Sequence, residues 1–412
     1  MTTPANTYEG DALNREAFGN NLSTLITSLN GGVIGIDGAW GAGKTWFGRR
    51  LRDGLGESAQ IKTIWIDTFS ADWHDDPVLS LLAEFSELVP AKQRDTFVNS
   101  VAPLAGKLLV AAGKAGLKAA GNMVGLTGEA VDDVIGAAQD ASDAFIKKRL
   151  QDLTERKQTI EQLKKLLSDA VPDGGKVVVF VDELDRCSPA YAIRFLERIK
   201  HLFEIQGVVF VLLWNRAQIQ QAVKAFYGQD TDGQMYLDRF VDYPVRLPNH
   251  HADRRNAGLR RIVESEIQKL DANAQLMFRD VTDLIAGFGD VLQLTAREIK
   301  HVCAWWVMAG VRRDEIVEAW LLCVKVKRPD IYARLANDEP NAHESAATLL
   351  NELPENSTLI RYYVALHQFH IACATKDLST ASEFSTYLFG RGTHDVFSRT
   401  KDIILRIEAI QR

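Results

Sequence analysis

This sequence predicts an α/β fold built on a parallel sheet and joined to an all-helical C-terminal region. Three observations carry that expectation. A glycine-rich loop lies between a short apolar run and a helical pattern, at residues 32–52. A β-branched run, Lys176-Val177-Val178-Val179-Phe180-Val181, ends in Asp182-Glu183; a helical stretch and another apolar run, Gly207 to Trp214, follow it as a βαβ unit. Beyond Pro248, strand-like runs become scarce and helical periodicity continues to the end.

Taken in order, Gly32-Val33-Ile34-Gly35-Ile36-Asp37 reads as a buried strand. The loop after it, Gly38-Ala39-Trp40-Gly41-Ala42-Gly43-Lys44-Thr45, matches G-x-x-x-x-G-K-[ST], the phosphate-binding P-loop or Walker A motif. Its glycines let backbone N–H groups turn inward around phosphates with no Cβ in the way. Lys44 supplies a flexible point charge for the β- and γ-phosphates, and Thr45 a hydroxyl for Mg²⁺. The helix that opens with Thr45 and Trp46 adds its positive end to an anion site. Phe47, Leu51 and Leu55 mark its buried face. Residues 38–46 together form the expected nucleotide-binding set. Strand, glycine loop and helix in this order predict a three-layer P-loop NTPase fold.

Ile61 to Asp67 is a further strand, with Asp67 at its end in the position of a cap, and Phe69 to Asp76 reads as a loop. Val101 to Gly128 is rich in Ala, Gly, Leu and Val, but Lys107, Lys114 and Lys118 interrupt it. No uncharged run approaches the ~18–20 residues needed to span a bilayer, so an amphipathic hairpin is expected and no transmembrane segment. Phe145 to Ala170 reads as a charged helix leading into the acid-ended strand. In that Walker B-like strand, Asp182 is the candidate Mg²⁺ ligand, and Glu183 the carboxylate that orients or deprotonates water. Ala190 to Phe203 is amphipathic, with Ile193, Leu196, Ile199 and Leu202 on one face. Asn215, at the tip of the Gly207–Trp214 strand, suits either contact with the γ-phosphate or a strand-end turn.

After a boundary near Leu247, helices are expected over 256–270, 296–311, 314–326, 345–353, 357–374 and 401–410. The expected organisation is a nucleotide-binding core over 1–247 with a helical insert at about 90–170, a lid-like helical domain over 248–335, and a helical region of unassigned role over 336–412. The 412 residues carry 46% hydrophobic and 25% charged side chains with a formal net charge of −6. That balance argues against a protein built mainly to coat nucleic acid. The arginine clusters at 254–255, 260–261 and 312–313 read as solvated faces. Four cysteines are scattered without metal-ligand spacing and suit a reduced, cytoplasmic setting. His250-His251 and His367 with His370 lack further ligands at recognisable spacing and read as structural.

With these pieces in place, the chain resembles the KAP family of P-loop NTPases, which is related in architecture to AAA+ and STAND ATPases. The resemblance rests on a leading helix at Phe18 to Leu29, the Trp40-Gly41 pair inside the loop, and Asp182-Glu183-Leu184-Asp185-Arg186-Cys187. Tyr236-Leu237-Asp238-Arg239-Phe240 with Pro244 to Pro248, and Thr295-Ala296-Arg297-Glu298, extend it to about residue 305. It implies ATP as the nucleotide, bound with Mg²⁺ by Lys44, Thr45 and Asp182. It also implies Glu183 or Asp185 in water activation, and Arg186, Arg239 or Arg297 as candidates for charge stabilisation, with donation across a subunit interface of a homo-oligomer as one arrangement. Asn215 stands where relatives often carry an acid. The long insert before the acid strand is membrane-spanning in many relatives, and here resembles that of the soluble branch. Some relatives exclude phage, which suggests a defence role by analogy.

Three functions follow as expectations. The first is a cytoplasmic ATPase that acts as a switch for a partner protein. The second is an ATP-binding scaffold with negligible turnover. The third is a nucleic-acid-handling ATPase, supported by the arginines after Pro248 and opposed by the acidic total.

Overall fold

A computed structural model describes the chain outside residues 1–7, 9, 73–76, 101–157, 203–204, 249–256, 271–278, 310–313, 340, 352–358, 376–387, 389–395 and 410–412. The expected hairpin over 101–128, the part of the charged helix before residue 158, and His250, His251, Arg254, Arg255, Arg312 and Arg313 lie outside the described residues.

Five strands form one sheet: β1 (Gly32–Asp37), β2 (Ile61–Asp67), β3 (Lys176–Asp182), β4 (Val208–Trp214) and β5 (Tyr243–Arg246). Their order is β2-β3-β4-β1-β5, and every pairing is parallel. The apolar runs of β3 and β4 arise from this placement, because an inner parallel strand is covered on both faces. All seven residues of β4 are buried. β5 was not expected as a strand. It has four residues, one of them Pro244, and it occupies the sheet edge beside β1. An edge tolerates proline because the missing N–H leaves only one ladder incomplete.

Helices cover both faces. Ile64, Ile66, Val179, Val181 and Leu212 face a core shared with Tyr191, Phe195 and Ile199 of the helix Pro189–Ile199. That helix ends sooner than its apolar stripe suggests and continues as a 3-10 turn, Lys200–Leu202. On the opposite face, Trp65 stacks on Phe180 with ring centroids 5.6 Å apart. There the helix Lys44–Gly56 approaches closely through Gly48. The expected loop at Phe69 starts instead as a short helix, Thr68–Ala71, because Asp67 caps it through Ser70 N at 3.0 Å and Ser70 Oγ at 2.9 Å.

The chain divides into two compact units. One gathers Gly19–Gly38 and Lys44–Arg246; the other gathers Tyr8–Phe18, Ala39–Gly43 and Leu247–Arg412. The second unit contains the helices Ala257–Leu270, Arg279–Val291, Ala296–Ala309, Glu315–Lys327, Pro329–Ala336, Ala342–Thr348, Ile360–Thr375 and Val396–Ala409. One hydrophobic core runs from Leu259 to Ile407, so the segments 248–335 and 336–412 share it. Its centre is Glu315–Lys327, buried continuously from Val317 to Lys325 around Trp320. His370 is fully buried there; its Nε2 accepts from Trp320 Nε1 at 3.1 Å, and its Nδ1 lies 2.9 Å from His343 Nδ1. No helix of the described residues is long and apolar enough to cross a membrane.

The close packing at Gly48 gives a direct test. An added Cβ would lie 2.3 Å from Leu213 Cδ1 and 3.1 Å from the Trp65 ring. Gly48→Val is expected to destabilise the sheet-bearing unit by about 1–3 kcal/mol, read as an earlier denaturant transition. An unchanged midpoint would mean that the helix stands farther from the sheet.

Candidate nucleotide-binding site

Parallel pairing brings the strand ends to one edge, where open α/β sheets hold ligands. At the end of β1, Gly38 N donates to Trp214 O at 3.1 Å and carries the ladder one residue further. The chain then turns through the loop and re-enters a helix at Lys44. Gly41 and Gly43 take φ of 78° and 87°, the left-handed region that disfavours a side chain. Alternation of such residues turns successive N–H groups into one concavity, a nest for an anion. Ala42 N donates to Ala39 O at 3.2 Å and tightens the turn. Trp40 stands at the loop's surface, 46% exposed.

Lys44 is buried and folds back over the loop, its Nζ 2.8 Å from Gly38 O and 3.7 Å from an Asp185 carboxylate oxygen. Asp185 is therefore a counter-ion of this lysine, in the 3-10 turn Leu184–Arg186. An ammonium placed at the loop in this way suits an interaction with phosphate.

Asp182 ends β3 and is buried. Its carboxylate accepts from the Thr45 hydroxyl and from Glu183 N, the latter at 2.9 Å, while its carbonyl accepts from buried Thr68 Oγ1 at 2.6 Å. The hydroxyl and carboxylate expected to serve Mg²⁺ therefore already touch. Mg²⁺ takes oxygen ligands, commonly one or two protein groups with the rest from phosphate and water, so the donors fit that ion. Glu183 has φ 63° and ψ 17°, left-handed backbone on a residue with a side chain. Its carboxylate pairs with Arg186 of the same turn. Burial, and then the neighbouring Asp182 charge, push the Glu183 carboxyl up, with Arg186 opposing.

The remaining expected residues are placed as follows. Asn215 caps the helix Arg216–Tyr227, its side chain accepting from Gln218 N at 3.4 Å. Arg239 is exposed just after the short helix Gly233–Leu237. Trp46 lies in the first turn of the helix Lys44–Gly56, with Arg50 stacked over its ring at 4.9 Å. Arg297 sits in the first turn of Ala296–Ala309, beside Gly41; a Cβ on Gly41 would meet Arg297 Cβ at 2.7 Å and Thr295 Oγ1 at 2.8 Å. That helix start is a capping box. Thr295 N donates to Glu298 Oε2 at 2.7 Å, and Glu298 N to Thr295 Oγ1 at 3.3 Å.

Three residues escaped the sequence reading. Asp37 Oδ1 accepts from Arg216 N at 2.9 Å, joining the ends of β1 and β4. Thr68 secures the backbone of Asp182. Arg15 is buried and bonds the carbonyls of Ala42 and Pro248. Only Asp37 carries a local signal, an acid at the end of an apolar run.

The Asp182 environment yields a prediction. Burial raises this carboxyl above its ordinary range, against the pull of Thr45, Glu183 N–H and Lys44. The folded protein then holds the proton more tightly than the unfolded chain, so the ionised carboxylate subtracts from stability once pH exceeds the raised value. Asp182→Asn removes the charge and keeps one acceptor oxygen for Glu183 N, while its amide NH2 can donate to the Thr45 hydroxyl. In the absence of nucleotide it is expected to raise the unfolding temperature at pH 7. The gain should fade as pH falls toward about 4, the ordinary range of an unfolded Asp. A lower unfolding temperature at pH 7 would overturn this account.

Comparison with known proteins places this geometry in a family. Residues 15–305 match the KAP family P-loop domain. The chain is also similar to the phage T7 exclusion protein of Escherichia coli (strain K12), 23% identical over 308 residues. That alignment covers 69% of this chain and 40% of the relative's length. A loop with two left-handed glycines, a lysine folded over it, and a threonine bonded to a strand-end aspartate thus accompany a match over more than half of the sequence, and the chain belongs to the KAP family of P-loop NTPases.

Proposed function

We propose that this protein is a Mg²⁺-dependent ATPase of KAP type that works as a nucleotide-driven switch for a partner protein. The observation that carries the reading is the bond between Thr45 and Asp182 beside a buried Lys44. The amides of residues 38–43 bind the phosphates, and Lys44 exchanges Gly38 O for phosphate oxygen. Thr45 and Asp182 hold Mg²⁺, which when bound neutralises charge on the phosphates and polarises the transferred group. Glu183 takes the proton of the attacking water. Its raised carboxyl lies nearer the working pH than an ordinary glutamate, as a general base requires. Asp185 serves as a counter-ion of Lys44. Arg186, engaged with Glu183, holds the base until a cation or water reorganises the turn. Arg239 and Arg297 remain the candidates for charge stabilisation, and Asn215 for positioning at the β4 end. The helical unit 247–412 is the natural reporter to a partner, since it shares its contacts with loop residues 39–43. The relative's name associates that protein with exclusion of phage T7, and we extend a phage-defence setting to this chain on that similarity.

The test is Mg²⁺-ATP binding and hydrolysis by the full chain, with molar mass measured with and without ATP. Lys44→Ala is expected to weaken Mg²⁺-ATP binding by about 10- to 100-fold, the range for a charge-assisted bond. Glu183→Gln should bind ATP normally and lose about 10²- to 10⁴-fold in turnover. In the unmodified protein, turnover should decline on acidification at a pH above the ordinary glutamate range, since the base works only when ionised. Unaltered affinity in Lys44→Ala would remove the site assignment. Binding without turnover, alone and with a partner, would favour the scaffold reading.

A further inference from the structure

Behind the loop lies a buried cation that the motif does not require. Arg15 is 2% exposed. Its Nη1 donates to Ala42 O at 2.9 Å, and its Nε and Nη2 donate to Pro248 O at 3.0 and 2.9 Å. Among the described residues, its guanidinium is bonded to carbonyls and pairs with no carboxylate within salt-bridge distance. Asp11 is the nearest counter-charge, but its oxygens accept backbone N–H groups of Leu13, Arg15 and Glu16. Burial pulls the Arg15 pKa down to about 10, with Asp11 opposing. A desolvated guanidinium without an anion is expensive for a fold to keep.

The peptide plane explains what the expense accomplishes. In a trans peptide the carbonyl and the following N–H point in opposite directions. Fixing Ala42 O toward Arg15 therefore turns Gly43 N–H to the other side of the loop, the direction in which a nest binds its anion. Gly43 is left-handed, and a Cβ there would lie 3.2 Å from Arg15 Nη1, so the guanidinium rests directly against this peptide. The same guanidinium grips Pro248 O, at the start of the helical segment.

We propose that Arg15 is a positioning residue for the nucleotide phosphates. It aims the Ala42–Gly43 peptide, contributes positive charge from behind the loop, and ties the loop's state to Pro248. The inference rests on the nucleotide-binding reading above. It predicts that planar two-carbonyl recognition by the guanidinium cannot be replaced by a point charge.

The experiment is titration of the full-length protein with Mg²⁺-ATP, by calorimetry, at a temperature where circular dichroism shows each variant folded. Wild type, Lys44→Ala, Arg15→Ala and Arg15→Lys are compared. Arg15→Ala is expected to weaken Mg²⁺-ATP binding about 10- to 100-fold, and Arg15→Lys to fall between it and wild type. If both Arg15 variants bind as wild type does and differ only in unfolding temperature, the residue is structural and the proposal is overturned. Should Arg15→Ala fail to fold, Arg15→Lys decides, and wild-type affinity in it overturns the proposal. If wild type does not bind, or Lys44→Ala binds equally well, the nucleotide reading itself fails and this inference falls with it.

Discussion

The parallel pairing of β1, β4 and β3 is the constraint on which the rest depends. Asp37 aligns with Trp214, and Asp182 with Leu213, so the strands finish at one level. Each strand end delivers a short polar side chain at that level, and three of these perform the same local task. Asp37 takes Arg216 N, Asp67 takes Ser70 N, and Asn215 takes Gln218 N. All three satisfy amides in the first turn of a helix, the next one in the chain for Asp67 and Asn215 and the one after β4 for Asp37. Asp182 is the exception. Its carboxylate is turned to Thr45 and to the amide of Glu183, and the 3-10 turn after it has no side-chain cap. Residues of one chemical kind at equivalent positions thus separate into helix caps and a carboxylate turned toward Thr45, according to what the next turn leaves unsatisfied.

The positive side of the site follows a similar logic. The loop keeps two cations close, Lys44 over Gly38 O and Arg15 against Ala42 O. Lys44 is stored by folding over Gly38 O near Asp185. Arg15 is stored by carbonyls alone. Lys44 thus combines a backbone oxygen with a carboxylate, whereas the guanidinium of Arg15 is bonded to backbone oxygens, which stabilise a cation less than a carboxylate does.

The sequence discloses those parts of the site that backbone geometry restricts to few residue types. Gly41 and Gly43 need positive φ, Lys44 and Thr45 follow at fixed spacing, and a doubly covered strand needs the unbroken run before Asp182. Elements whose local signal is contradicted by packing are not disclosed. The helix Arg279–Val291 contains Gly287 and Gly289, poor helix formers. Added Cβ atoms there would meet Leu359 Cδ1 at 2.4 Å and Ile299 Cδ1 at 2.6 Å, so close contact selects glycine against propensity. β5 is hidden by Pro244, which only an edge strand accepts. Arg15 is hidden most completely, because its partner Pro248 is 233 positions away and nothing adjacent to it marks the contact.

The turn after β3 shows why such a site is costly to the fold that carries it. Glu183 is held in left-handed backbone, a conformation worth about 1–3 kcal/mol of strain for a residue with a side chain. Its carboxyl and that of Asp182 are both raised, burial being the first cause in each. Strain and two disfavoured charges therefore fall on adjacent residues, while β3 before them is uniformly apolar and regular. A turn optimised for stability would place glycine or asparagine at position 183 and an uncharged cap at 182. Neither is present, so the departures from a stable turn concentrate at the two residues that the proposed chemistry uses, as local rules are broken at functional sites more often than elsewhere.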